Sequence, residues 1–395
     1  MQGFQKEMLE KSHKQDENIK EQGRMIAALE VSIAELDGRV LKLELATAQQ
    51  DQTIQDVNTT TGIVAKDSGN TTTVQLLSSV SKYPGDTASP ASQEENVVLI
   101  TGGYRSTSTG ISLTNHTEIY PRSSGCSPPP LPRYRASHNT FVTSDPTPVV
   151  ATCGGHFSSY TSSCLVLDSV NQSWESGWMG NLRRIRMNSA SVTLSNIGVF
   201  IIGGIHGHGT YPPHAIYNTS EFLPPGTMQW QEGPSLPVQM EKPLAVQITN
   251  TSFLVIHRTS IFEFDAAIAG PTSYKGWAEA TKWPRLEPRM SRSCGKVGRK
   301  VIIAGRGRPT EVLDLDRRQI VLGGRMSAAR RFGFHIATLP FPGREEKAFV
   351  LAGGYLDTAE EWVEESLTWR PAVNLLVKRA DFGAVTLPKR LICPV

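Results

Sequence analysis

The stretch GVFIIGG, residues 198–204, sets four apolar residues, three of them β-branched, against a closing pair of glycines. Such a run reads as a buried strand whose end carries no side chain and can turn tightly. It is not alone. NVVLITGG ends at Gly103, PVVATCGG at Gly155, KVIIAGRG at Gly307 and KAFVLAGG at Gly354, and a degenerate relative, SFLVIHR, occupies 252–258. The copies recur about every 50 residues, a period that identifies one supersecondary unit repeated along the chain.

The remainder of each unit repeats too. After the glycines comes a loop of variable length, then an alternating strand: TEIY at 117–120, CLVLD at 164–168, SEFL at 220–223, IFEFD at 261–265, TEVLDLD at 310–316 and AEEWVEE at 359–365. A tryptophan often follows, as Trp174, Trp230, Trp277 or Trp283, and Trp369. A turn then leads into a strand headed by a cation, read as Arg135, Arg186, Lys242, Arg292, Arg331 and Arg379. Four strands per unit and six units predict a β-propeller. The first unit lacks its innermost strand, whereas the chain ends in KRADFGAVTLP, an innermost strand with no unit after it. The C-terminal strand is therefore expected to complete blade 1 and remove the open sheet edge.

On these residues the region 97–395 resembles the kelch-repeat β-propellers, whose units carry a Gly-Gly strand end, a spaced tryptophan and an arginine before the innermost strand. The likeness is plainest in blades 1, 2, 3 and 6. The resemblance implies an all-β, six-bladed kelch-type fold closed by a C-terminal strand. It also implies that one arginine per blade has a structural role, hydrogen-bonding strands to loops.

Residues 1–16 form an N-terminal extension. From Ile19 an unbroken heptad frame follows, with Ile19, Ile26, Ile33, Val40, Thr47 and Ile54 at one seam position and Gln22, Leu29, Leu36, Leu43, Gln50 and Val57 at the other. This 3.5-residue spacing predicts an α-helical coiled coil over 17–57 and a homo-oligomer, dimer or trimer. Residues 58–96, with NTTTGIVAKDSGNTTT and YPGDTASPASQEEN, read as a Ser/Thr/Pro linker.

A net charge of +3, from 40 basic and 37 acidic side chains among 395 residues, demands no nucleic acid. No apolar run approaches the roughly 20 residues of a membrane span, and the first residues carry no signal-peptide core. Six of thirteen asparagines, namely Asn58, Asn70, Asn115, Asn171, Asn218 and Asn250, nonetheless head glycosylation triplets. An extracellular location is expected if the N-terminus is incomplete, with the cytoplasm as the alternative. The five cysteines are an odd number; Cys153 and Cys164 fall on adjacent strands of one hairpin and are the expected disulfide, while Cys126, Cys294 and Cys393 stay unassigned.

Extra cations accompany five of the strand heads. Arg133 with Arg135, Arg183 and Arg184 with Arg186, Arg289 with Arg292, Arg330 with Arg331, and Lys378 with Arg379 are expected to ring one mouth of the channel. Such a ring suits a protein ligand of acidic character or an anionic glycan. His206, His208 and His214 are a minor metal option, since no cysteine and no nearby carboxylate joins them. Neither GxSxG nor HExxH occurs, and no arrangement maps onto the copper site of galactose-oxidase-type enzymes built on similar blades. The expectation is a non-catalytic binding protein with no cofactor, with an intracellular scaffold as alternative and a copper enzyme after that.

Overall fold

A computed structural model of the chain describes residues 95–107, 110–122, 125–143, 148–206, 215–278, 280–288, 291–327, 332–340 and 346–393. The predicted coiled coil and linker lie outside the described residues. Those described fold as an all-β ring of six blades with very little helix.

The apolar runs become the second strand of each blade: Asn96–Thr101, Val150–Cys153, Gly198–Ile202, Ser252–His257, Lys300–Gly305 and Lys347–Gly353. Each lies between an inner and a third strand and pairs antiparallel with both. The inner strands, in the order of blades 1 to 6, are Gly383–Pro388, Asn139–Val142, Ala190–Leu194, Leu244–Gln247, Arg292–Val297 and His335–Leu339.

A second strand has no solvent face, because each blade is packed between two others. Phe200 and Ile202 join the core shared with blade 4, whereas Val199 and Ile201 join the core shared with blade 2. Alternation along the strand thus divides one apolar run between two interfaces. Among the described residues there are six such cores, one between each neighbouring pair of blades, including blade 6 with blade 1. At about 1.5–3 kcal/mol for each large apolar side chain buried, these interfaces drive the ring together.

Closure follows the expected route. The C-terminal strand Gly383–Pro388 pairs antiparallel with Asn96–Thr101, from Thr101 opposite Gly383 to Asn96 opposite Pro388. A disulfide between Cys126 and Cys393 clasps the same junction, and Lys389 Nζ reaches Glu95 at 2.8 Å.

The glycine pair is demanded by approach as well as turning. Gly203 and Gly204 have φ of 61° and 92°, and a Cβ at Gly203 would stand 2.6 Å from the Met240 carbonyl oxygen. In blade 6 the same conformational pair is Ala352–Gly353, with φ of 48° and 92°, so the turn begins one residue earlier than the sequence motif implies. The expectation of four strands per unit also needs correction. Blades 1 and 4 have three strands among the described residues. In blade 4 the third strand Ser260–Asp265 runs into a single helical turn, Ala266–Ala269, and Trp277 bridges to Phe264 where an outer strand would lie.

Candidate functional site

The inner strands of all six blades line one axial cavity of about 510 Å³. A second cavity of about 570 Å³ lies where the chain enters the inner strands, lined by Ser137, Asn188, Lys242, Gly333 and Asp381 among others. Successive strands are antiparallel, so the segments leading into inner strands and those joining second to third strands emerge at this same end.

A belt of backbone hydrogen bonds shapes the mouth. Ser137 N–H donates to Asp381 O at 2.7 Å, Asn188 N–H to Ser137 O at 3.0 Å, Lys242 N–H to Asn188 O at 3.0 Å and Asp381 N–H to Gly333 O at 2.9 Å. Ser137, Asn188, Lys242 and Asp381 all adopt left-handed φ between 50° and 55°. Each left-handed residue turns the chain from a surface loop into an axial strand, at a cost of about 1 kcal/mol or more that the belt offsets. Burial raises the Asp381 carboxyl pKa, and Lys242 opposes that shift.

Three of the expected ring arginines do not face solvent. Arg186 is fully buried: its Nε donates to Glu221 Oε1 at 2.8 Å, and its terminal nitrogens donate to Gly203 O, Thr219 O and Thr219 Oγ1. Arg379 donates to Glu118 Oε1 at 2.6 Å and to Gly102 O at 3.0 Å. Arg135 donates to Gly154 O, Ser163 O and Ser163 Oγ, with Leu165 where the other two blades carry a glutamate. Burial lowers the pKa of all three guanidinium groups, and that of Arg135 falls to about 10. Each of these three arginines ties the entry of an inner strand to the second and third strands of its own blade, because its donors are consumed by the first glycine's carbonyl and by acceptors at the third strand.

The strand heads read in blades 4 and 5 are also displaced. Gly155 N–H donates to Arg186 O, and Gly204 N–H donates to Met240 O in the same way. Met240, buried beside Phe262, therefore takes the arginine's place in blade 4, and Lys242 is exposed two residues later. In blade 5 Arg292 already lies in the inner strand, where it donates to Arg258 O and Glu287 O. Arg289, Arg330 and Arg331 lie outside the described residues.

What remains at the surface is a rim. Arg133 lies over the Phe157 ring, Arg183 and Arg184 sit 3.9 and 3.8 Å from Glu232 with about half their side chains exposed, and Lys378 is exposed. Tyr134, Trp178, Val238 and Leu376, each more than 40% exposed, interleave with them on the segments that lead into the inner strands.

Cys153 and Cys164 are bonded, as are Cys126 and Cys393, while Cys294 is free in the channel wall with burial pushing its thiol up to about 12. Asn171, Asn218 and Asn250 are exposed, but Asn115 is half-buried and its Nδ2 donates to Leu131 O at 2.9 Å. Asn58, Asn70, His208 and His214 lie outside the described residues. His206 is half-buried on the mouth side, 6.4 Å from the Tyr160 ring. Among the described residues no group of three or more His, Cys, Asp or Glu side chains is placed to hold a metal ion, and no helix is long and apolar enough to cross a membrane.

Sequence reasoning passed over one cluster. His138, 6% exposed, contacts Thr101 Oγ1 through Nε2 at 2.8 Å, and Thr101 Oγ1 lies 2.7 Å from Thr140 Oγ1. Only its place three residues after Arg135, at the start of an inner strand, marked it. The chain matches no known protein family among those compared and no curated protein.

Proposed function

We propose that the chain is a non-catalytic recognition protein of the kelch type that binds an acidic protein partner through the rim around the channel mouth. The observation that carries this reading is the rim itself. Exposed Arg133, Arg183, Arg184 and Lys378 alternate there with exposed Tyr134, Trp178, Val238 and Leu376. Cations set among exposed apolar side chains suit a protein surface more than a fully hydrated glycan, since apolar contact supplies affinity and charge supplies steering.

The compartment we infer is extracellular or secretory. Four of the five cysteines are in disulfides, and such bonds persist in oxidising surroundings. Exposed Asn218 and Asn250 are available to glycosylation there, as is Asn171 once its Nδ2 leaves the Asp168 carboxylate at 2.7 Å. The heptads of 17–57 are proposed to join two or three propellers, so that modest rim affinities add through avidity.

A fluorescent polyglutamate peptide carrying apolar residues tests the rim. Arg183→Glu, Arg184→Glu and Lys378→Glu combined should weaken its binding by about tenfold or more at physiological salt. Unchanged binding would sink the reading, and equal loss of retention on heparin with no peptide binding by wild type would transfer it to a glycan.

A further inference from the structure

The mouth cavity carries opposite charges on opposite blades. Its lining includes Asp381, where the chain enters the inner strand of blade 1, and Lys242, Arg258 and Glu241 on blade 4. These blades stand three apart in a ring of six, so the two charged walls lie on opposite sides of the axis. Lys242 precedes Leu244–Gln247 and Arg258 follows Ser252–His257. The register that sets Leu244 against Ile256, carried two residues further, brings these two exposed cations side by side.

The Asp381 side chain is half-buried, and its Oδ1 lies against Gly333 of blade 6, where a Cβ would stand 2.7 Å from it. Gly333 lines the same cavity, which places this oxygen on the mouth wall. Neither carboxylate oxygen accepts a hydrogen bond or forms an ion pair among the described residues, and neither is among the buried polar atoms left without a partner. The carboxylate is therefore reachable from the cavity yet uncompensated, and a partly desolvated charge without a partner is costly until a ligand supplies one.

The wall on blade 4 has the opposite sign. Lys242 and Arg258 form no ion pair among the described residues, and Glu241 is the one carboxylate beside them in the lining. Arg292 of blade 5, which donates to Arg258 O and Glu287 O, adds a third cation on this side. Low-dielectric walls focus such a field across the cavity.

This polarity excludes ligands of one sign. An anion alone is opposed by Asp381, and a cation alone by Lys242, Arg258 and Arg292; a neutral ligand leaves both walls unmet. Leu244, Phe334 and Phe382 add apolar surface to the same lining, and about 570 Å³ lies within the range of small-molecule sites.

We infer that the mouth cavity binds a small zwitterion whose ammonium and carboxylate groups are held apart by an apolar spacer, with the ammonium at Asp381 and the carboxylate at Lys242 and Arg258. This site goes beyond the rim reading and does not depend on the rim cations.

The test is a ligand-observed saturation-transfer NMR titration of the full chain with 4-aminobutyrate, 6-aminohexanoate, 8-aminooctanoate and triglycine, and with hexanoate and hexylamine as single-charge controls. At least one zwitterion should bind saturably and about tenfold or more tighter than either control. Asp381→Asn, a residue that tolerates the left-handed backbone, should weaken that zwitterion by about tenfold while leaving hexanoate as tight or tighter. Lys242→Gln with Arg258→Gln, both at exposed positions, should weaken it similarly while leaving hexylamine as tight or tighter, a crossed pattern that mere loss of structure does not give. Tighter binding of triglycine than of the aminoalkanoates assigns the site to peptides with free ends, and the reverse order to alkyl zwitterions. No binding by any zwitterion in the wild-type chain would overturn the inference, as would a control that binds as tightly as the best of them. Arg183→Glu with Arg184→Glu should leave the zwitterion response unchanged, so failure of the rim reading and failure of this one give different results.

Discussion

Blades 3 and 4 solve one structural position in opposite ways. Blade 3 buries a charged pair, Arg186 with Glu221 at 2.8 Å, whereas blade 4 puts Met240 and Phe262 at the equivalent points inside one apolar core. Blade 2 stands between them, with Arg135 buried and Leu165 in place of the carboxylate. The position therefore requires filled volume and satisfied backbone groups, and not charge as such. Buried ion pairs are commonly replaceable by apolar residues of similar size, while half a pair is costly.

The largest expected effect of a single substitution comes from halving the pair in blade 3. Glu221→Ala should lower stability by about 3–5 kcal/mol in urea unfolding, because Arg186 stays buried uncompensated and the backbone N–H groups of Arg183 and Arg184 lose their acceptor. Arg186→Met with Glu221→Phe, which copies blade 4, should lose less than Glu221→Ala alone. If the double variant is the less stable of the two, the equivalence of the blades is refuted.

Acid should act on a half-buried imidazole held without a counterion among the described residues. Burial pushes His335 in the channel wall down to about 4 from its ordinary 6.5. The folded protein thus keeps this imidazole neutral where the unfolded chain takes up a proton. Stability is complete above pH 6.5 and falls as pH drops towards 4, by roughly 3 kcal/mol from this group. His335→Phe should flatten that part of the pH–stability curve, and an unaltered slope would show that the loss arises elsewhere.

The two disulfides extend the comparison to the ends of the ring. Cys126–Cys393 spans 267 positions and Cys153–Cys164 only 11, so opening the first should cost more, about 5–6 kcal/mol against about 3 kcal/mol in the chain-entropy view. Paired serine substitutions measured by thermal unfolding would reverse this order if closure by Gly383–Pro388 alone secured the termini. The smallest effect is expected at Arg135→Met, within about 1–2 kcal/mol, since no carboxylate loses a partner and blade 4 already tolerates methionine there.

Much of this architecture was legible before any coordinates. The second and third strands repeat with their own apolar and alternating patterns, and the orphan strand at the C-terminus announced the ring closure that pairs it with Asn96–Thr101. The register of the arginine position was not legible in blades 4 and 5. Lys242 and Arg292 offered charge where the fold uses geometry, and Met240 was recognisable only by its carbonyl bond to Gly204. The rim was half legible: sequence grouped the cations, but Arg135 and Arg186 lie only two residues from exposed Arg133 and Arg184 and point into the fold.

By itself the sequence determined the repeat, the second and third strands of each unit and the number of blades, because burial on two faces imposes local composition that recurs with each unit. Only the tertiary structure decided which arginines are buried, which cysteines meet at the ring closure, and that His138 Nδ1 is buried without a hydrogen-bond partner among the described residues. Those outcomes depend on groups brought together from distant blades, and no local pattern encodes the distance between them.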